Sequence, residues 1–139
     1  MDYVAGFYFS ECKDRVALIR KLKPEWQRGR LNGIGGKVGP GEKPYAAMVR
    51  EFEEETGARV EGWRLFCTAT TEEDRLHFFT TRGDLDVLYS AETEEVVTAA
   101  VEDIPTLDTI PNLRWLIPLA LDEGNLGTHL DYAPVHRPD

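Results

Sequence analysis

The chemistry-bearing part of this chain is the run Arg50-Glu51-Phe52-Glu53-Glu54-Glu55, which sets four carboxylates into five consecutive residues beside one guanidinium. In a helix, like charges three and four residues apart repel, so the crowding needs compensation. On a helical wheel Tyr45, Met48, Val49 and Phe52 form an apolar stripe. Glu51, Glu54 and Glu55, at i, i+3 and i+4, converge on a neighbouring face, while Arg50 and Glu53 point elsewhere. Three hard oxygen donors this close suit Mg²⁺ or Mn²⁺, and such an ion would cancel the repulsion while coordinating substrate phosphates. A solvated, glutamate-rich surface helix is the other reading of the same run. The preceding segment favours the first: Gly35, Gly36, Gly39 and Gly41 let backbone approach a bound group closely, and Lys37 places a cation just ahead of the acids. Neither common nucleotide loop is present. Leu31 and Val38 break the G-x4-G-K-[ST] pattern, and Val38 breaks G-x-G-x-x-G after Gly33 and Gly35.

The elements that must position these residues can be read along the chain. Tyr3 to Phe9 and Arg15 to Leu22 read as strands of a hairpin joined by Cys12 to Asp14, and regular structure must loosen over Leu31 to Gly41, which carries five glycines and Pro40. Pro44 suits a first helical turn, strong helix formers follow to Thr56, and Gly57 is a natural residue past a helix end, which predicts a helix over 44–56. Val60 to Thr71 and Leu76 to Thr81 are strand-like around a turn at Glu72 to Arg75, Asp86 to Tyr89 suggests another short strand, and Thr93 to Val101 is ambiguous. Asn112 to Leu121 puts Leu113, Leu116, Ile117, Ala120 and Leu121 at helical spacing, with Pro118 predicting a kink or a late start. Thr128 to Ala133 adds a final strand. Strands around two helices without regular βαβ alternation predict an α+β fold with a mixed sheet.

The 139 residues, 42% apolar and 29% charged, suit one domain over 1–139 that can bury roughly 68–70% of its unfolded surface, so a metal would serve function rather than folding. The net charge of −9 argues against a broad grip on nucleic acid or an anionic membrane. That total hides an asymmetry: residues 1–40 carry eight Lys/Arg against four Asp/Glu, and residues 41–139 eight against twenty-one. Lys21, Lys23, Arg28 and Arg30 in the basic part either steer a polyphosphate or form a solvated hairpin face. Cys12 and Cys67 make neither a disulfide framework nor a zinc spacing, and no apolar run approaches the roughly 20 residues that cross a bilayer. A cytoplasmic location is the expectation. His77 reads as a packed or rim side chain, and His129 and His136 carry no assigned role.

Gly36, Glu42, Arg50, Glu51, Phe52, Glu54, Glu55, Gly57 and Ala58 resemble the box of the Nudix hydrolases, G-x5-E-x7-R-E-U-x-E-E-x-G-U. Every fixed position matches; Phe52 and Ala58 depart from the bulky aliphatic residue at the two U sites. The resemblance implies an α/β/α sandwich with a loop-helix-loop metal site, and hydrolysis of a nucleoside diphosphate linked to another group. It implies Glu51, Glu54, Glu55 and the Gly35 carbonyl as metal ligands. It also implies Arg50 and Glu42 holding helix and loop, Lys37 on a phosphate, and a further ligand or base among Glu92, Glu94 and Glu95.

The stretch from Arg30 to Val38 is similar to the box entry of the MutT-like branch, which cuts nucleoside triphosphates to monophosphate and pyrophosphate. In that branch Asn32 would recognise the base and Trp26 would contribute to a purine pocket. An amide can donate and accept along a base edge, and an indole offers a stacking face. The bland reading is that Asn32 satisfies loop backbone and Trp26 anchors the surface. Pro111 to Leu121 resembles the C-terminal helix of oxidised-purine triphosphatases, but Asn112 and Leu113 replace its two acids. Asn112 can still hydrogen-bond a base and Leu113 cannot, which turns the expectation away from 8-oxo-purine selectivity. Nucleotide-sugar or other NDP-X hydrolysis and a non-catalytic nucleotide-binding module are the competing readings, and a homodimer is left open.

Overall fold

The two apolar runs that open the chain owe their continuity to burial on both faces. In the computed structural model, which describes residues 1–125 and 127–131, they are β1 (Asp2–Ser10) and β2 (Arg15–Arg20) of a mixed eight-stranded sheet. β1 sends Val4 and Tyr8 to one side and Phe7 and Phe9 to the other; β2 divides Ala17 and Ile19 from Val16 and Leu18 in the same way. The other strands are β3 (Leu31–Asn32), β4 (Ile34–Lys37), β5 (Arg64–Thr70), β6 (Arg75–Gly83), β7 (Glu95–Ala100) and β8 (Thr128–Asp131). Helix α1 (Pro44–Thr56) covers the first side through Ala47, Met48, Val49 and Phe52, and α2 (Leu113–Leu121) covers the second through Leu113, Leu116 and Ile117. The result is an α/β/α sandwich with an α+β element order.

The sheet runs β3-β2-β1-β6-β5-β8, with β4 also on β1 and β7 also on β2. β1 lies parallel to β6 and β5 parallel to β8; the remaining pairs are antiparallel. One detail of this pairing positions the site. β1 pairs with β2 at Tyr8 and Phe9, then with β4 from Tyr3 to Gly6, while β2 turns to β3 at Ile19 and Arg20. The two central strands therefore part, and β3 and β4 enter the opening and lead directly into α1.

Several local outcomes depart from the sequence expectations. The segment Asp86 to Tyr89 is not a strand: Leu85–Val87 is a 3-10 turn, started by Asp84, whose Oδ1 accepts the Asp86 N–H at 2.9 Å. β5 begins only at Arg64, because Gly62 at φ 80° bends the chain ahead of it. Thr93 to Val101 resolves into β7, and α2 runs through Pro118 despite the backbone donor that residue lacks. Residues 132 and 133 of the expected last strand, and His136, lie outside the described residues. Among the described residues no helix is long and apolar enough to cross a membrane.

His77 on β6 stands in register between Val4 of β1 and Thr68 of β5. Its Nε2 is buried 3.9 Å from Asp2 Oδ2, beyond hydrogen-bond reach. Burial holds its pKa below the usual 6.5, against the opposing pull of the Asp2 carboxylate. The unfolded chain therefore binds more protons than the folded one as pH falls through 6.5, and stability drops with acidification. Melting temperatures measured from pH 7.5 down to pH 5 should fall more steeply for the wild type than for His77→Gln; parallel curves would rule out this coupling.

Candidate active site

The acidic run lies on α1, whose ends are set by local chemistry. Pro44 occupies the first turn, and Gly57 adopts a left-handed φ of 78° and donates its N–H to the Glu53 carbonyl at 2.8 Å. A side chain at Gly57 would also collide with Tyr89, whose ring stands 2.1 Å from the position of an added Cβ. The segment bearing Tyr89 is tied to the helix end by two backbone bonds of 3.0 Å, Tyr89 N–H to the Thr56 carbonyl and Ala91 N–H to the Glu55 carbonyl. Those bonds satisfy carbonyls that a helix terminus leaves free. They also bring the following residues, Glu92 to Glu94, alongside Glu54 and Glu55.

Arg50 does not point away from the acids, as the helical wheel suggested. Its long side chain bends back over the helix and binds several of them at once. Nε and Nη2 form a fork on Glu42, both at 2.8 Å, Nη1 donates to Glu51 at 2.9 Å and to Glu54 at 3.2 Å, and Nη2 also reaches the Lys37 carbonyl at 3.1 Å. Glu42 accepts the Gly39 N–H at 2.9 Å as well. The Arg50 fork and that N–H hold the Glu42 carboxyl down at about 2, and the Arg50 guanidinium is held firmly protonated. Glu51 is half-buried, and burial pushes its carboxyl up against the opposing pull of Arg50. Its carboxylate lies over Gly36, where an added Cβ would come within 2.5 Å of it, so a side chain at this position would displace the Glu51 carboxylate. Gly35 sits in β4 opposite Ala5, and Lys37 ends the same strand, exposed.

Glu55 is the unusual acid of the group. Its Oε2 is buried without a hydrogen-bond partner. Burial first, and the charge of Glu94 second, push its carboxyl up to about 7. It opens on a cleft of about 280 Å³ whose walls include Lys21, Lys23, Glu54, Glu92 and Glu94. Glu94 is held on both oxygens: Oε2 accepts the Leu22 N–H at 2.6 Å and Oε1 the Lys21 ammonium at 3.1 Å. Burial would raise its carboxyl, but those two bonds bring it below the ordinary value. Glu95 turns instead to Arg20, 3.4 Å away on the neighbouring strand. Of the three glutamates singled out beyond the helix, the fold thus brings Glu92 and Glu94 to the cleft and leaves Glu95 on the sheet surface.

The donors available for a divalent ion are the hard oxygens of Glu51, Glu54 and Glu55, and the orphaned Glu55 Oε2 is the atom such a cation would satisfy. These donors fit Mg²⁺ or Mn²⁺ in chemical type. Among the described residues no three His, Cys, Asp or Glu side chains already close on a single point, and the Arg50 Nη1 stands between Glu51 and Glu54. On the adjoining side of the opening, Asn32 ends β3 and Trp26 lies, 41% exposed, on the 3-10 turn Glu25–Gln27. The segment before α2 is pinned to this edge: Leu31 donates to the Asp108 carbonyl and accepts from Ile110 N–H, both at 2.9 Å. Asn112 follows, its Oδ1 buried without a partner. Sequence reasoning missed Gln27 and Tyr89, which carry no motif and matter only through what they touch.

A family model described as the NUDIX domain matches residues 2–127. The chain belongs to the NUDIX domain family. It is a Nudix hydrolase, and its α/β/α fold is shared with solved relatives. The MutT protein from Bacillus halodurans aligns with a TM-score of 0.75 at 21% identity, covering 96% of this chain and 90% of its own. The MutT NUDIX hydrolase from Burkholderia pseudomallei gives 0.69 at 20%, covering 86% and 98%. The NUDIX domain of NrtR from Shewanella oneidensis, solved as a complex with ADP ribose, gives 0.75 at 14%, covering 86% and 85%. No curated protein sequence matches the chain. Nudix hydrolases as a family use divalent metals and bind small nucleotides.

In this Nudix hydrolase, free of metal, the folded pKa of Glu55 near 7 exceeds its ordinary 4.5, so stability falls as pH rises between those values. Glu55→Gln should therefore raise the melting temperature of the metal-free protein at pH 8 and leave it close to wild type at pH 4.5. Equal effects at both pH values would contradict the strained ionisation of Glu55.

Proposed function

We propose that this Nudix hydrolase cuts a nucleoside triphosphate, with Mg²⁺ or Mn²⁺, to monophosphate and pyrophosphate. The observation that carries the reading is the buried, unpartnered Glu55 Oε2 facing Glu94 across a cleft that also holds Glu54 and Lys21. Such an atom calls for a cation, and the family box supplies the neighbouring donors. Glu51, Glu54, Glu55 and the carbonyl of Gly35 would hold the ion. When bound, it supplies neutralisation of charge on the phosphate oxygens and acidification of the attacking water.

The chain's own residues do the remaining work in this reading. Arg50, through its fork on Glu42, keeps the acidic helix and the glycine-rich segment in register. Lys37 and Lys21 offer cations to the polyphosphate, and a carboxylate of the cleft receives the proton of the water as the bond to the leaving phosphate breaks. Glu94 is the further donor in preference to Glu92, which has no anchoring bond among the described residues, and to Glu95, which lies outside the cleft on the sheet surface. Asn32 and Asn112 read the base edge and Trp26 stacks on it. The replacement of the expected acids by Asn112 and Leu113 favours a purine other than 8-oxo-guanine. The likeness to an ADP-ribose-bound NUDIX domain supports a second reading, hydrolysis of another NDP-X.

Incubation with Mg²⁺ and a panel of nucleoside triphosphates, 8-oxo-dGTP, nucleotide sugars, ADP-ribose and diadenosine polyphosphates should release monophosphate and pyrophosphate from a triphosphate. Monophosphate plus a sugar phosphate would establish the second reading, and binding without turnover would establish a binding module. Glu54→Gln and Glu55→Gln should each lower turnover by roughly 100-fold or more with the circular dichroism spectrum unchanged. Mn²⁺ uptake followed by calorimetry should weaken in both variants; near-normal activity and uptake would refute the site.

A further inference from the structure

The carboxamide of Asn32 is held by two partners of the chain itself. Its Oδ1 accepts the N–H of Gly33 at 2.8 Å, and its Nδ2 donates to Oε1 of Gln27 at 3.3 Å. A backbone N–H can only donate, so Gly33 decides which end of the Asn32 amide is oxygen. The opposite end must then be the NH₂ group, and Gln27 meets it with an acceptor. The Gly33 N–H sets the polarity of the amide, and the Gln27 acceptor is the second bond that a turned-over amide would lose. An amide has two donor hydrogens and two acceptor lone pairs. Asn32 therefore keeps one N–H and one lone pair for a ligand, in a fixed order.

Gln27 is itself firmly placed. Its N–H donates to the Pro24 carbonyl at 2.9 Å and its carbonyl accepts from Arg30 N–H at 2.9 Å. The turn that carries it is closed by Lys21 N–H on the Arg30 carbonyl at 2.9 Å and Gly29 N–H on the Lys21 carbonyl at 2.8 Å. Arg20 braces the same turn through its bond to the Gly29 carbonyl at 3.1 Å. The Gln27 acceptor is thus built onto β2 and β3 rather than hung on a loose loop.

We infer that Gln27 is a positioning residue for base selectivity, locking the Asn32 amide so that the site distinguishes 6-oxo from 6-amino purines. The inference rests on the reading of Asn32 as a base contact. Guanine carries an acceptor at position 6 and adenine a donor, so the two offer opposite orders of donor and acceptor along that edge. An amide free to turn over pairs with either. An amide of fixed polarity pairs with one and sets like against like with the other, leaving polar groups unmatched.

The test measures dissociation constants of GMP and AMP by calorimetry, and kcat/KM for GTP and ATP, for the wild type and for Gln27→Leu, Gln27→Glu and Asn32→Ala. The wild type should prefer one purine, and Asn32→Ala should abolish the preference. Gln27→Leu should shrink the preference by roughly 3- to 10-fold, the effect of losing one hydrogen bond. Gln27→Glu, which keeps an acceptor facing Nδ2, should hold the ratio to within about twofold of wild type. A preference lost in Asn32→Ala yet intact in Gln27→Leu would overturn the role of Gln27 and leave Asn32 as the base contact. A uniform weakening of both purines in Gln27→Leu would also overturn it, since that is the signature of a merely structural side chain. No preference in the wild type, or one that survives Asn32→Ala, would overturn the base-contact reading itself.

Discussion

Crowded negative charge at the C-terminal half of α1 is the constraint around which the rest of this molecule is arranged. Glu51, Glu53, Glu54 and Glu55 repel one another at helical spacing, and the last of them stand where the helix dipole is also negative, with no basic residue in the final turn. Two things offset this. The apolar stripe through Met48, Val49 and Phe52 buries the helix against the sheet, where the Phe52 ring packs 5.0 Å from that of Trp63 and 5.3 Å from that of Tyr8. Arg50 folds back over the acids and shares one guanidinium among Glu42, Glu51 and Glu54. Glu55 is outside its reach, which is why that carboxyl is the one left buried, unpartnered and inclined to keep its proton.

The same guanidinium links the helix to the glycine-rich segment. Through Glu42 and the Lys37 carbonyl it fixes the stretch between β4 and α1, and the backbone at Gly36 lies against the Glu51 carboxylate. The parting of β1 from β2 makes this geometry available. β4 takes the place on β1 that β2 vacates, and β3 stays on β2. The acid site and the Asn32 edge thus arise from one divergence in the sheet, adjacent because the strands that carry them are consecutive. A cleft used for a nucleotide would have its phosphate side and its base side set by that single topological event.

The third contributor comes from far along the chain. The segment after the Leu85–Val87 turn hooks its N–H groups onto the Thr56 and Glu55 carbonyls, and this delivers Glu94 to Lys21 and Leu22. Helix end, segment and β2 edge are thereby closed into one unit around the cleft. Glycine at position 57 serves twice here, supplying the left-handed turn and leaving room for the Tyr89 ring.

What the sequence by itself determined was whatever depends on spacing within one element. The α1 boundaries, Pro44 at its start and Gly57 just past its end, follow from proline, glycine and helix-forming residues a few positions apart, as does the apolar face of α2. The strand positions of β1 and β2 were legible for the same reason. The direction of Arg50 was not, because a wheel projects the Cβ and a guanidinium reaches well past it. Nor was the 3-10 turn that replaces the expected strand near Asp86, since one side-chain cap from Asp84 outweighs a short apolar pattern. Only the tertiary structure could divide Glu92 and Glu94 from Glu95, or join Gln27 to Asn32 in one amide relay. Those outcomes depend on strand register and on partners such as Lys21 and Glu94 that lie far apart in sequence, and periodicity carries no information about which distant residues a folded sheet will bring within hydrogen-bond distance.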